Sequence, residues 1–135
     1  MKELKIDALT QNLDQVIAFL EEELEAMGCP MKIMLQIDVA VEEIYVNIAS
    51  YAYTSGLGYA IIQIEGEKDP AQVIITFIDE GIPYNPLEKD DPDVTLAAEE
   101  RQIGGLGIYM VKKSMDSMEY ERKDGKNILK IAKKF

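Results

Sequence analysis

Histidine is absent from this chain of 135 residues, and its absence excludes several kinds of catalytic and metal site. Without histidine the chain cannot form a zinc site of the His-Glu-x-x-His type, a Ser-His-Asp triad or a phospho-accepting histidine. Cysteine is nearly absent too. The single Cys29 has no partner for a disulfide within the chain, and its place beside Pro30, in an expected turn between helices, favours the role of a small apolar residue.

Long apolar runs are also missing. No run approaches the roughly 18–20 consecutive apolar residues that a membrane-spanning helix needs. The first residues lack the apolar centre of a signal peptide, so we expect a cytoplasmic protein that does not bind membranes. A length of 135 residues predicts a single domain, because domains most often contain about 100–150 residues.

Positive charge is scarce relative to negative charge. The chain has 14 basic and 25 acidic residues and a net charge of −11. This balance opposes nonspecific binding to nucleic acids and anionic membranes, and it favours a protein partner with a basic surface. A bound polyphosphate would need a divalent cation beside it to offset the negative charge of both.

The hydrophobic pattern predicts alternating blocks of strands and helices. In chain order these are a strand at 2–8, a helix from Thr10 as N-cap to a stop at Gly28, a largely apolar helix at about 31–53, strands at 59–65 and 72–78, an irregular segment with a brief helix at 94–100, a helix opened by 104–107, and strands at 118–122 and 127–132. This order predicts an α+β fold, a two-layer sandwich of a mostly antiparallel mixed sheet with helices on one face.

Two polar residues lie on the long apolar helix. Glu43 and Asn47 are four residues apart, so their side chains share one face of the helix. Burying such groups without partners costs about 1–3 kcal/mol each. This face therefore meets either solvent or a ligand, and a solvated stripe is the simpler interpretation of the pair taken alone.

Asp79 ends a predicted strand, and Gly81 follows two residues later. Asp and Gly are turn residues, so an ordinary turn is one interpretation. The other is a base-binding site. A strand-end aspartate can accept a hydrogen bond from the amino group of adenine, and a glycine lets the base approach the backbone.

The tetrapeptide Gly104-Gly105-Leu106-Gly107 opens a predicted helix. Glycines at a helix start expose several backbone N–H groups at the positive end of the helix dipole, which makes a cradle for an anion. A hinge or tight turn is the alternative. The segment of about 82–103 that precedes it contains three prolines and is predicted to be a lid or binding loop.

The order and spacing of these motifs resemble those of the Bergerat-fold (GHKL) ATPases, and the resemblance spans the whole chain. Within that superfamily, the chain size, the Tyr51-Ala52-Tyr53 end of the motif helix and the Gly-Ile-Pro-Tyr-Asn-Pro segment after Asp79 are most similar to the bacterial anti-sigma-factor serine/threonine kinases. The resemblance implies a single histidine-kinase-like ATP-binding domain over residues 1–135, with an ATP lid at about 82–103.

The resemblance also implies a role for each motif residue. Asn47 would bind Mg²⁺, Asp79 would contact adenine with Gly81 beside the base, and Glu43 would be the general base. The phosphates of ATP would be held by residues of the glycine motif, namely Gly104, Gly105, Leu106 and Gly107. Arg101, at the end of the lid, is a further candidate for phosphate binding, with a solvated lid charge as its alternative.

As a function, the resemblance implies an ATP- and Mg²⁺-dependent kinase that phosphorylates a serine or threonine of an anti-sigma-factor antagonist. It further implies a homodimer that can sequester a sigma factor. Two alternatives stay open: a nucleotide-binding module that controls a partner without phosphoryl transfer, and ATP hydrolysis without a protein acceptor.

Two positions differ from the superfamily pattern. Pro83 stands where the Asp-x-Gly-x-Gly motif has its second glycine, and no threonine or serine occurs after Ser117, although the superfamily usually has a threonine near adenine on the last strand. These differences predict an effect on nucleotide affinity rather than on the fold.

Overall fold

The protein forms a five-stranded sheet with three α-helices in the part of the chain that the computed structural model describes, residues 1–88 and 106–135. The elements are β1 (Lys2–Asp7), a 3-10 turn (Thr10–Asn12), α1 (Leu13–Ala26), α2 (Met31–Asn47), a π-helical turn (Ile48–Ala52), β2 (Tyr59–Glu67), β3 (Gln72–Asp79), a second 3-10 turn (Pro86–Glu88), α3 (Leu106–Ser114), β4 (Ser117–Lys123) and β5 (Lys126–Lys134).

The strand order is β1-β2-β3-β5-β4, and each of the four pairings is antiparallel. Both predicted hairpins are present. The turn of the second one is formed by Asp124 and Gly125, with φ angles of 53° and 77°, as a tight hairpin turn requires. The predicted α+β class with a mostly antiparallel sheet is confirmed.

One face of the sheet carries the core. Ile62, Phe77 and Leu129 lie side by side on β2, β3 and β5, and all three are buried. They belong to one cluster with buried residues of the helices, such as Leu20 and Ile37. Because side chains alternate along a strand, the same face continues to Asp79 on β3 and Asn127 on β5, which are directly paired.

The first helix starts later than predicted. Thr10 is not an N-cap: it lies in a 3-10 turn, α1 begins at Leu13, and neither start has a side-chain capping bond. The reason is tertiary. The buried hydroxyl of Tyr45 lies 3.2 Å from the amide nitrogen of Leu9 and 2.7 Å from its carbonyl oxygen, which keeps Leu9 extended. The predicted stop at Gly28 is confirmed by its φ of 75°.

The apolar helix also ends differently. The α-helical part stops at Asn47, and the chain continues as a π-helical turn to Ala52 instead of as α-helix to residue 53. The helix predicted at 94–100 lies outside the described residues. In residues 1–88 and 106–135, no helix is long and apolar enough to cross a membrane.

A pair of carboxyl groups lies between α1 and α2. The Oδ1 atom of Asp38 is buried and has no hydrogen-bond partner among residues 1–88 and 106–135. Burial, followed by a hydrogen bond to Glu21 and repulsion from its charge, raises the pKa of Asp38 to about 7. The folded state therefore holds this proton more tightly than the unfolded chain does, whose aspartates have a pKa of about 3.9.

Replacing Asp38 with Asn is expected to stabilise the protein above neutral pH. A raised carboxyl pKa favours folding below the unfolded pKa, and this advantage is lost as the pH rises from about 4 to about 7. At about pH 8 the free energy of unfolding should rise by about 1–2 kcal/mol, and at about pH 4 the change should be small. The rise is smaller than the full pKa shift would give, because solvent partly screens the side chain. Thermal unfolding at both pH values measures it, with the exposed Glu42→Gln on the same helix as control. An equal change at both pH values would contradict this account.

Candidate functional site

The paired polar residues of α2 are in contact, and one of them lines a cavity. Glu43 and Asn47 are both half-buried near the end of the helix, and the Nδ2 atom of Asn47 donates a 3.3 Å hydrogen bond to Oε1 of Glu43. Asn47 lines the cavity. Its Oδ1 atom is then the oxygen left to act as a ligand.

The start of α3 packs directly on Glu43. A Cβ atom added at Gly107 would overlap the carboxylate of Glu43. The predicted catalytic residue and the last glycine of the predicted phosphate motif therefore lie in contact, although 64 positions separate them in the sequence. Leu106 is the first residue of α3. Arg101, Gly104 and Gly105 lie outside the described residues.

Asp79 is almost completely buried at the end of β3, with 5% of its surface exposed. Its Oδ1 atom accepts hydrogen bonds from the backbone N–H of Gly81 and from Nδ2 of Asn127, both at 2.9 Å. None of the described residues donates a hydrogen bond to Oδ2, and the residue lines the cavity. Asp79 can therefore accept a hydrogen bond from a ligand.

Gly81 packs on the π-helical turn. A Cβ atom there would overlap the backbone carbonyl of Ala52, whose oxygen accepts a 2.8 Å hydrogen bond from the amide of Ile82. The carbonyl of Gly81 accepts a 2.8 Å bond from Nη1 of Arg122. In the described part of the chain, Gly81 is not among the residues that line the cavity. The geometry thus explains the glycine by close packing against Ala52, and a direct approach to the base remains a prediction.

Two tyrosines hold the same loop from the outside. The hydroxyl of Tyr53 accepts a 2.8 Å hydrogen bond from the amide of Glu80 and donates one to the carbonyl of Tyr59. The hydroxyl of Tyr59 donates a 2.6 Å bond to Oε1 of Glu80, which raises the pKa of Tyr59 to about 12. The carboxylate of Glu80 is therefore engaged at the surface, while that of Asp79 faces the cavity.

Asn127 is a site residue that the sequence reading missed. It is 6% exposed, pairs with Asp79 across the sheet, and donates from Nδ2 to both Asp79 and the carbonyl of Ile82, the latter at 2.8 Å. The sequence analysis noted only that the last strand lacks the threonine usual in the superfamily. The alternation of Asn127, Leu129 and Ile131 was the available signal, because it places the asparagine on the buried face of that strand.

The cavity that Asn47, Asp79 and Asn127 line has a volume of about 410 Å³. A volume of this size is within the range of about 300–1,000 Å³ for small-molecule sites, which are mostly apolar with a few placed polar groups. The apolar walls include Ile44, Ile48, Phe77, Ile82, Pro83, Pro86, Ile108 and Leu129, and the polar lining includes Asn47, Asp79, Tyr120 and Asn127. The arrangement fits a flat aromatic ligand with an amino group.

The donor set is compatible with Mg²⁺. Within residues 1–88 and 106–135 there is no group of three or more His, Cys, Asp or Glu side chains that could hold a metal. Mg²⁺ usually takes one or two protein oxygens and completes its shell with waters and substrate phosphates. The amide oxygen of Asn47, which accepts no hydrogen bond from the described part of the chain, fits that requirement beside the carboxylate of Glu43.

Comparison with known families identifies the fold. A model of the histidine kinase-like ATPase domain matches residues 6–133, so the chain belongs to this family. The superfamily predicted from the motifs is confirmed. An ATPase domain implies ATP binding, and kinase or ATPase activity is supported at the level of the family.

One relative and one solved structure are similar to the chain. The chain is 26% identical over 100 residues to the serine/threonine-protein kinase BtrW of Bordetella bronchiseptica, covering 74% of this chain and 70% of BtrW. In fold it is similar to the crystal structure of the RsbU and RsbW domains of Rv1364c from Mycobacterium tuberculosis, with a TM-score of 0.61 and 17% identity over 98% of this chain. The match spans about a third, 32%, of that solved chain.

Proposed function

We propose that this protein binds ATP with Mg²⁺ and transfers the γ-phosphoryl group to a serine or threonine of an anti-sigma-factor antagonist. The observation that carries the proposal is the contact between Glu43 and Gly107, with Asn47 alongside. It brings the expected general base and the start of α3 together beside Asn47, the expected metal ligand, which lines the cavity.

Adenine is proposed to bind at the other end of this cavity, beside Asp79. The free Oδ2 atom of Asp79 would accept a hydrogen bond from the exocyclic amino group. Ile44, Ile48 and Phe77 supply apolar surface for the faces of the ring. This combination of apolar walls and one buried acceptor favours adenine over a sugar or a free phosphate.

The triphosphate would extend towards Asn47 and the start of α3. Mg²⁺, when bound, would neutralise phosphate charge and hold the oxygens in place. Asn47 would be its protein ligand. The backbone N–H groups of the first turn of α3, with Gly107, would bind phosphate oxygens at the positive end of the helix. Gly104, Gly105, Leu106 and Arg101 are proposed to extend this cradle.

Glu43 is proposed to take the proton from the acceptor hydroxyl. Phosphoryl transfer depends mainly on positioning and charge neutralisation, and one further group must orient or deprotonate the nucleophile. The hydrogen bond from Asn47 holds the carboxylate of Glu43 at the same end of the cavity where the phosphates are expected.

Replacing Gly107 with Ala is expected to impair transfer without unfolding the protein. The added methyl group occupies the position of the Glu43 carboxylate, which is the flexible end of its side chain and can move away. A displacement of about 1 Å costs about 100-fold in rate. Alanine also favours a helix over glycine by up to about 1 kcal/mol, so the melting temperature should hold.

The Gly107→Ala result is measured by phosphate transfer and thermal unfolding together. Ser114→Ala, near the end of the same helix, is the matched control. Transfer at the wild-type rate in the glycine variant would show that Glu43 does not need its observed position.

The partner relations are proposals that rest on the family. We infer a homodimer that sequesters a sigma factor, in line with the partner-switching kinases that the motifs resemble. A net charge of −11 would speed association with a basic partner surface. Light scattering over a concentration series tests the dimer, and a constant monomer mass would refute it.

Mass spectrometry of candidate antagonist proteins tests the activity. Each is incubated with the purified protein, ATP and Mg²⁺, and the expected result is the gain of one phosphoryl group on a serine or threonine. A complex that depends on ATP but leaves the partner unmodified would replace the kinase with a nucleotide-binding regulatory module. Steady phosphate release without any partner would instead indicate a simple ATPase.

A further inference from the structure

Three side chains from β3, β4 and β5 form a continuous chain of hydrogen bonds along the floor of the cavity. The hydroxyl of Tyr120 donates to Oδ1 of Asn127 at 2.5 Å. Nδ2 of Asn127 then donates to Oδ1 of Asp79 at 2.9 Å. All three residues line the cavity, and both Asn127 and Asp79 are buried.

The amide of Asn127 has only one orientation that satisfies its neighbours. Oδ1 receives the Tyr120 hydroxyl and, at 3.3 Å, the backbone N–H of Tyr84. Nδ2 donates to two acceptors, Asp79 and the carbonyl of Ile82. A flipped amide would place its oxygen against these two acceptors and its NH₂ group against a backbone donor, so the network decides the orientation.

This orientation determines what Asp79 offers to a ligand. Its Oδ1 atom already accepts from Gly81 and Asn127, so the carboxylate cannot rotate without breaking two hydrogen bonds. Oδ2, which accepts no hydrogen bond from the described residues, is then the oxygen left to accept one from a ligand in the cavity that Asp79 lines. A ligand base must place a donor there, because two facing acceptors would leave a buried polar group unpaired.

We propose that Tyr120 and Asn127 are positioning residues that set the choice of nucleobase. They hold Asp79 so that the site accepts a base with an exocyclic amino group and rejects one with an oxygen at the same place. The inference rests on the proposed binding of a nucleoside triphosphate in this cavity. It assigns base selectivity to Tyr120 and Asn127 in addition to Asp79 itself.

In this proposal Tyr120 affects base selectivity by orienting the side-chain amide of Asn127, and not by contacting the base. Without its hydroxyl, the only bond that Oδ1 of Asn127 keeps from the described residues is the longer one from Tyr84, and the orientation of the amide is weakly held. Removing the Tyr120 hydroxyl or the Asn127 amide should therefore lower the preference for adenine more than it lowers the affinity for nucleotides in general. A purely structural role of these residues would weaken the binding of all nucleotides equally.

The test is calorimetric titration of ATP and of inosine triphosphate, whose base carries oxygen instead of the amino group, both with Mg²⁺. We expect the wild-type protein to prefer ATP by about 100-fold or more, as sites built around a substrate hydrogen bond do. Tyr120→Phe should reduce that ratio about tenfold, the effect of one neutral hydrogen bond. Tyr109→Phe, on α3, is the control and should leave the ratio unchanged.

Each outcome decides a different claim. Wild-type protein that binds neither nucleotide would overturn both the proposed function and this inference. Preference for ATP that persists in a folded Tyr120→Phe variant would overturn the inference alone. If that variant does not fold, Asn127→Leu decides the question by the same ratio, which should again fall at least about tenfold.

Discussion

Replacing Asp79 with Asn is expected to weaken ATP binding by about 100-fold or more. A hydrogen bond to a charged group is worth about 1.5–3 kcal/mol, and each 1.4 kcal/mol is a factor of about ten in Kd. The loss should exceed that of a missing bond, because an NH₂ group turned to the cavity would face the amino group of adenine, donor against donor. Calorimetric titration of ATP with Mg²⁺ measures the effect.

Glu80→Gln is the matched control for Asp79→Asn. It removes the same charge one residue further on, at an exposed side chain that bonds to Tyr59 and does not line the cavity in the described chain. It should leave the Kd for ATP within about threefold, a change of well under 1 kcal/mol. Equal weakening by both variants would mean that net charge, and not the acceptor at Asp79, controls binding.

Replacing Glu43 with Gln is expected to remove phosphoryl transfer while ATP binding is retained. General-base catalysis contributes about 10²–10⁴-fold, and glutamine keeps the shape of the side chain without its ability to take a proton. Glutamine can still pair with Asn47, so the local structure should persist. Transfer to the partner, followed by mass spectrometry, and the Kd for ATP are measured on the same preparation.

Glu42→Gln controls for the charge change at Glu43. Glu42 precedes it on α2 and is exposed. The Glu42→Gln variant should transfer phosphate at the wild-type rate. If Glu43→Gln instead lost ATP binding and transfer to the same extent, Glu43 would be a binding residue, and the role of general base would be wrong.

The motif helix illustrates how much the sequence could predict. The spacing of Glu43 and Asn47 placed both on one face of an apolar helix, and the structure has them bonded at the cavity edge. Local periodicity could not predict the π-helical turn at Ile48–Ala52, because that turn is stabilised by tertiary contacts. Its Ala52 carbonyl receives the amide of Ile82 from the loop after Asp79.

Asn127 shows a different limit. Its alternation with Leu129 and Ile131 is compatible with an inward side chain, but its role in the site depends on the pairing of β5 with β3, which places it opposite Asp79. Strands that are distant in sequence have no local signal for their register. The sequence pattern therefore showed only that this strand lacks the usual threonine, and not that a carboxamide makes hydrogen bonds there. Thr10 failed as a cap for a similar reason, since Tyr45 holds the preceding residue from 36 positions away.

Titration of ATP into the wild-type protein, with Mg²⁺ and again with a chelator, tests the central claim most directly. The account predicts saturable binding at one site with Mg²⁺. It predicts at least about tenfold weaker binding without it, because a chain with a net charge of −11 has little positive charge to offset a triphosphate. Absence of saturable binding in the presence of Mg²⁺ would contradict the account and leave the domain as a fold used for protein interaction alone.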